Sequence, residues 1–126
     1  MTATRETLLK PVEVPKEKYW VPELDDHVWL KGMSAADRSK FEKQFETPAG
    51  TRSKRKSKEI RERLLVACVC DEAGSALFTD DDIEALGRQP ISMIEPMVVA
   101  AQKLAGFSVE EVEAMAKNSD ETDEDS

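Results

Sequence analysis

Residues 64–70, "LLVACVC", form the longest uninterrupted apolar run in the chain. Seven residues fall far short of the roughly 20 that span a bilayer, so the run has to be wrapped by other parts of the same polypeptide. The segment leading into it is charged but periodic: Ile60, Leu64, Ala67 and Cys68 form one helical stripe, while Leu65, Val66, Val69 and Cys70 fill the remaining circumference. The spacing predicts a helix over residues 58–70 whose second half is buried on all sides. With 126 residues there is room for one domain and one modest core around that helix.

The wrapping elements follow from local signals. "YWVPELDDHVWLKG" places two Val- and Trp-containing runs either side of Asp25-Asp26, which predicts a hairpin with a two-residue turn. In that register Trp20 faces Lys31, Pro22 faces Trp29 and Leu24 faces His27, while Tyr19, Val21, Val28 and Leu30 share the opposite face. So small a domain covers one face of a ribbon with its own helices. The Trp20 and Trp29 face is then either an added part of the core or a surface offered to another chain.

Ser34 and Asp37 open a helix carrying Phe41 and Phe45, Thr79 and Asp82 open a short one ending at Gly87, and Ser108 and Glu111 open one running to about Lys117. Phe78 with Ile83 and Phe107 with Val112 are spaced as hydrophobic staples. Between them a helix is expected over residues 91–105, with Ile94, Val98, Ala101 and Leu104 on one face and Gly106 as its stop. The expected fold is mainly α with a small N-terminal β-hairpin, an α+β domain of four to five helices over residues 16–117. Residues 1–15 are expected to be a mobile arm, 47–57 a basic flexible loop, and 118–126 a disordered acidic tail.

Chemistry is harder to find. Residues 71–82 make a twelve-residue window between two helices, the length of a calcium loop. Its first, third and fifth positions are Asp71, Ala73 and Ser75, its sixth is Ala76 where glycine is required, and it closes on Asp82 where a bidentate glutamate is required. The aspartates are accounted for by a turn and a helix N-terminus instead. Cys68 and Cys70 would lie about 200° apart on a helix and cannot grip one ion together. His27 is the only histidine, so no Cys/His cluster or nucleophilic pair forms, and neither enzyme activity nor a cofactor is expected. The Cys-x-Cys spacing offers no disulfide framework and fits a reducing compartment.

Charge narrows the partners. Against 18 basic residues stand 26 acidic ones, for a net charge of -8, which disfavours general affinity for nucleic acid or anionic membranes. Residues 52–63, "RSKRKSKEIRER", are the local exception, with seven basic and two acidic side chains but no aromatic to stack a base. They read as a solvated face or a contact for an acidic protein partner, with nucleic-acid binding by an accessory or regulatory protein as the alternative function. No apolar start follows a basic N-terminus in "MTATRETLLK", so the chain is expected to stay where it is made.

Three blocks of sequence resemble the tail assembly chaperones of long-tailed bacteriophages. These are "VPELDDHVWLKGMSAADRSKFE", with its acidic turn between short strands and its Ser-started helix; "LLVACVCDEAGSALFTDDDIEALG", a buried helix running through Asp-Glu-x-Gly and Leu-Phe-Thr into an acid-capped helix; and "AAQKLAGFSVEEV". The resemblance covers roughly residues 16–112 and rests on the order and spacing of the blocks. It implies that the second block is structural, with Leu77, Phe78, Ile83 and Leu86 closing the core. It further implies a protein that coats an aggregation-prone helical tape measure protein in the host bacterial cytoplasm, helps recruit tail-tube subunits, sometimes through a longer frameshifted product, and is absent from the finished virion. Such a role needs an exposed apolar strip, a charged exterior and weak homo-oligomerisation. Trp20, Leu24 and Trp29 are the expected strip, and Arg55, Lys56 and Lys58 the expected contacts for acidic stretches of the client.

Overall fold

The Trp- and Val-containing runs pair with each other, in a computed structural model that describes residues 2–117. β1 (Lys16–Val21) and β2 (Asp26–Lys31) are antiparallel, with Trp20 opposite His27, Tyr19 opposite Val28 and Lys18 opposite Trp29. The two-residue turn is replaced by a longer one. Pro22–Leu24 form a 3-10 turn and Asp25 adopts left-handed backbone with φ 53°. Pro22 is the cause: it has no N–H for the ladder and its ring holds φ near a helical value, so pairing stops at Val21. The partner of Trp20 moves from Lys31 to His27. That shift is an even number of residues, so each strand side chain keeps the face expected of it.

A third strand, β3 (Val69–Cys70), completes the order β1-β2-β3, pairing Trp29 with Cys70 and Leu30 with Val69. These two residues are expected from sequence to continue the preceding helix, because an unbroken apolar run has no period with which to tell helix from strand. The helix itself, α4 (Ile60–Cys68), buries Ile60, Leu64, Leu65 and Cys68, while Val66 and Ala67 stay half-buried. The seven-residue run is therefore enclosed on most sides rather than all.

α2 (Ala35–Lys43) starts at Ser34, whose Oγ accepts from the Asp37 N–H at 3.1 Å. Phe41 and Phe45 are both buried and stack edge to face at 5.2 Å between centroids, and Phe41 also meets Phe107 from the far end of the chain. α3 (Lys54–Lys58) occupies part of the segment expected to be loop, with Ser53 capping the Lys56 N–H. That start is hard to read because no apolar period follows Ser53. Glu59, at φ -99° and ψ 22°, separates α3 from α4, so the helix expected from residue 58 is two helices. Residues expected as an arm contain α1 (Arg5–Leu9), opened by a Thr4–Thr7 capping box and burying nothing. Among the described residues there are thus seven α-helices rather than four or five, α1 and α3 being the short additions.

The C-terminal half follows its capping signals closely. Thr79 and Asp82 cap each other around a 3-10 turn that leads into α5 (Ile83–Gly87). α6 (Ile91–Ala105) lies across β1 and β2 and against α4, and ends at Gly106 with φ 84°. α7 (Val109–Lys117) starts with the reciprocal Ser108–Glu111 bonds at 2.8 and 3.0 Å. The core lies between the inner face of the sheet, with Val21, Leu30 and Val69, and the apolar faces of α4 and α6. Gly32 makes that approach possible, since a Cβ there would stand 2.5 Å from the Leu104 carbonyl oxygen. The acidic tail falls outside the described residues.

Candidate functional site

The expected strip does not form one surface. Trp20 projects from the outer face of β1, 46% exposed and edge-on to His27 at 4.9 Å. Trp29 shares that face but is half-buried: Lys16 Nζ sits 5.3 Å from its ring centroid, and the turn after β3 folds over the same side. Lys16 Nζ donates to the Glu72 carbonyl and Lys31 Nζ to the Gly74 carbonyl at 2.9 Å. These two lysines hold the Asp-Glu-x-Gly turn against the sheet and shut Cys70 from solvent.

Leu24 departs from the tryptophans. Because Pro22 starts a helical turn, Leu24 leaves the strand pattern and joins the inner-face side. There it lines a cleft of about 260 Å³ with Val28, Leu77, Phe78, Met93 and Met97, among others. Leu24 and Leu77, at 49% and 54% exposure, stand at its mouth, while Ile94, Leu86, Met93 and Met97 are buried below. Leu77 therefore does not close the core as the family resemblance implies. Phe78 is half-buried and only Ile83 and Leu86 are fully taken in. Met93 and Met97 were the missed residues. Their i, i+4 spacing on a helix beside the Ile94–Val98 stripe is the signal that could have found them.

Trp20 lines a different, shallower cleft between β1 and α6, with Tyr19, Pro96 and Val99. Arg55, Lys56 and Lys58 lie on α3 and line neither of these two clefts. Much of the basic segment is committed to local ion pairs. Arg55 reaches Glu59 at 3.8 Å, Arg61 reaches Glu95 at 2.6 Å, and buried Arg63 donates to Glu59 at 2.8 Å and to Gln44 Oε1 at 2.9 Å. Pairs of this kind satisfy charge within the fold and leave less of it to a phosphate backbone.

The acidic window is equally occupied. Asp71 Oδ1 accepts from the Ser75 N–H and Asp82 Oδ2 from the Thr79 N–H, both at 2.9 Å, so each carboxylate caps its own turn. Among the described residues no three His, Cys, Asp or Glu side chains are grouped to hold a metal. Cys68 and Cys70 are buried free thiols. Burial pushes the Cys68 thiol up to about 12 against a weaker opposing pull from Lys31, and raises that of Cys70 as well. A protonated, enclosed thiol is a poor nucleophile.

One further cluster fixes the far end of the domain. Arg38 donates to Glu111 at 2.7 Å, to the Gly106 carbonyl at 3.1 Å and to Glu42 at 3.3 Å, with its guanidinium carbon 4.1 Å from the Phe107 ring centroid. The bond to Glu111 is the largest of the influences that hold the Arg38 pKa above its ordinary value. Glu111 is held below the usual carboxylate range first by the Ser108 N–H and then by Arg38. This is a structural tie between α2 and the α6–α7 corner. No described helix is long and apolar enough to cross a membrane. No family model matches the sequence, and no curated protein or solved structure matches it significantly.

Proposed function

We propose that this chain is an assembly chaperone for a long helical client, in the manner of the phage tail assembly chaperones that its sequence resembles, with a tape measure protein as client. On this reading it works in the host bacterial cytoplasm, helps bring tail-tube subunits to the client, and leaves before the virion is finished. The observation that carries the proposal is the cleft under Leu24 and Leu77. Its floor is apolar, its two mouth leucines are half-exposed, and it contains the flexible pair Met93 and Met97. Methionines adapt to side chains of differing shape, which suits a surface that must receive many segments of one long helix in turn.

The magnitude is modest for each copy. Fully burying a leucine is worth about 2 kcal/mol, so covering the exposed halves of Leu24 and Leu77 contributes about 1 kcal/mol each, or roughly thirtyfold in affinity for the pair. Many weak contacts along one client then act together. The test is co-expression of the chain with an aggregation-prone tape measure fragment. Leu24→Asp with Leu77→Asp is expected to keep native circular dichroism and lose client solubilisation, whereas Trp29→Ala leaves solubilisation in place. A doubly substituted chain that still solubilises the client as well as the parent does would overturn the proposal.

A further inference from the structure

Among the described residues β1 is bonded to β2 alone, so its other edge is open. The direction of its backbone groups follows from one bond. Gly32 N–H donates to the Pro15 carbonyl at 2.8 Å, continuing the β1–β2 register by one pair. Hydrogen-bonded pairs alternate along an antiparallel ladder, so Glu17, Tyr19 and Val21 turn their N–H and C=O groups toward β2, and Lys16, Lys18 and Trp20 turn theirs to the open edge. Beside that edge, α6 exposes Pro96 and Val99, the latter at 42%, next to Trp20 at 46%. An unpaired edge flanked by exposed apolar side chains is a template for strand addition.

We propose that the open edge of β1 pairs with the same edge of a second copy of this chain, antiparallel about a two-fold axis at Tyr19, to make one six-stranded sheet. Symmetry and face leave few registers. A two-fold axis normal to the sheet keeps inner side chains on the inner face only if it passes through a residue position, and near the middle of β1 the choices are Lys18 and Tyr19. An axis at Lys18 sets Lys18 directly against its own copy, a like-charge pair that destabilises the sheet. An axis at Tyr19 instead sets Trp20 of each copy against Lys18 of the other, an aromatic–cation neighbour pair, with four backbone hydrogen bonds between those residues. The ladder then ends at Pro22, which has no N–H to continue it.

The second layer fits the same axis. α6 lies over β1 and β2, and strands in a sheet are about 4.8 Å apart, so the axis brings the two α6 helices to about 10 Å, the spacing of packed helices. Pro96 and Val99 face each other across that gap. This surface is independent of the Leu24–Leu77 cleft and stands or falls without the chaperone reading.

Sedimentation equilibrium of the full chain, from micromolar to millimolar concentration, is expected to show reversible dimerisation. Lys18→Pro removes an N–H that points away from β2, so it keeps the hairpin and deletes two of the four intermolecular bonds, weakening the dimer about thirtyfold. Tyr19→Cys, oxidised gently beside the parent chain as background, is expected to cross-link into a dimer that Lys18→Cys does not form. A chain that stays monomeric throughout overturns the proposal. So does a natively folded Lys18→Pro variant that associates as tightly as the parent, and cross-linking through Lys18→Cys rather than Tyr19→Cys overturns the register.

Discussion

Gly32→Ala puts a single methyl group at the point where the sheet comes closest to α6. The added Cβ would stand 2.5 Å from the Leu104 carbonyl oxygen and 3.2 Å from Pro15 Cγ. A comfortable carbon–oxygen contact is about 3.4 Å, so the two elements must separate by roughly 0.9 Å in a core packed too densely to give way freely. The obstacle is a backbone atom, held in place by a helix, which no rotamer change can move. Overpacking of this kind costs about 2 to 3 kcal/mol. For a domain of this length each kcal/mol lowers Tm by about 4 °C, so a fall of roughly 8 to 12 °C is expected by calorimetry, with a matching loss of midpoint in urea and an unchanged m value. The Pro15 contact provides an internal control. Adding Pro15→Ala to Gly32→Ala should recover little, because the helix carbonyl remains, whereas Gly106→Ala, with φ 84° and no atom near its added Cβ, reports backbone strain alone at about 1 kcal/mol. A Gly32→Ala chain within about 0.5 kcal/mol of the parent would refute the claim that this contact sets the spacing of sheet and helix.

Removing Arg63 tests the one buried guanidinium: Arg63→Ala is expected to cost about 2 kcal/mol in denaturant titration, and Arg63→Met less, because the aliphatic stem still fills the site. The two thiols should stay unreactive toward a thiol reagent at neutral pH in the folded chain and titrate as two on unfolding, since both are buried and burial raises their pKa. Glu111 is depressed below its ordinary 4.5 in the folded chain, so its contribution is present above that value and is lost as pH falls through the lower folded one. Stability followed by urea midpoint from neutral pH downward should drop in that acid range, and Glu111→Gln should flatten that part of the profile.

Capping signals carried most of what could be read in advance. Ser34, Thr79, Ser108 and Gly106 each mark a helix boundary because the chemistry of an orphan N–H or a left-handed residue is local. What depends on distant partners was not readable. Val69 and Cys70 become a strand only because β2 presents a free edge to them, and nothing within the apolar run announces it. The strip of Trp20, Leu24 and Trp29 follows from alternation along a strand. Alternation fails at Pro22, where the chain leaves the strand and sends Leu24 to the opposite side from the tryptophans. The core position of Leu77 is implied by the family resemblance alone, and the structure leaves that side chain 54% exposed. The basic segment gave the right composition and the wrong conformation, because a run of lysines capped by Ser53 has no apolar rhythm to mark it as helix.

β2 has a strand on each side, and its second partner lies about forty residues further along the chain. During synthesis the hairpin can close early, but β2 keeps one edge unsatisfied until α4 has emerged and delivered Val69 and Cys70. Closing so long a loop is slow compared with hairpin formation. The amides of Trp29 and Leu30 should accordingly rank among the slowest to exchange with deuterium once the chain is complete. A nascent chain stalled before residue 69 would display a sticky strand to whatever lies nearby.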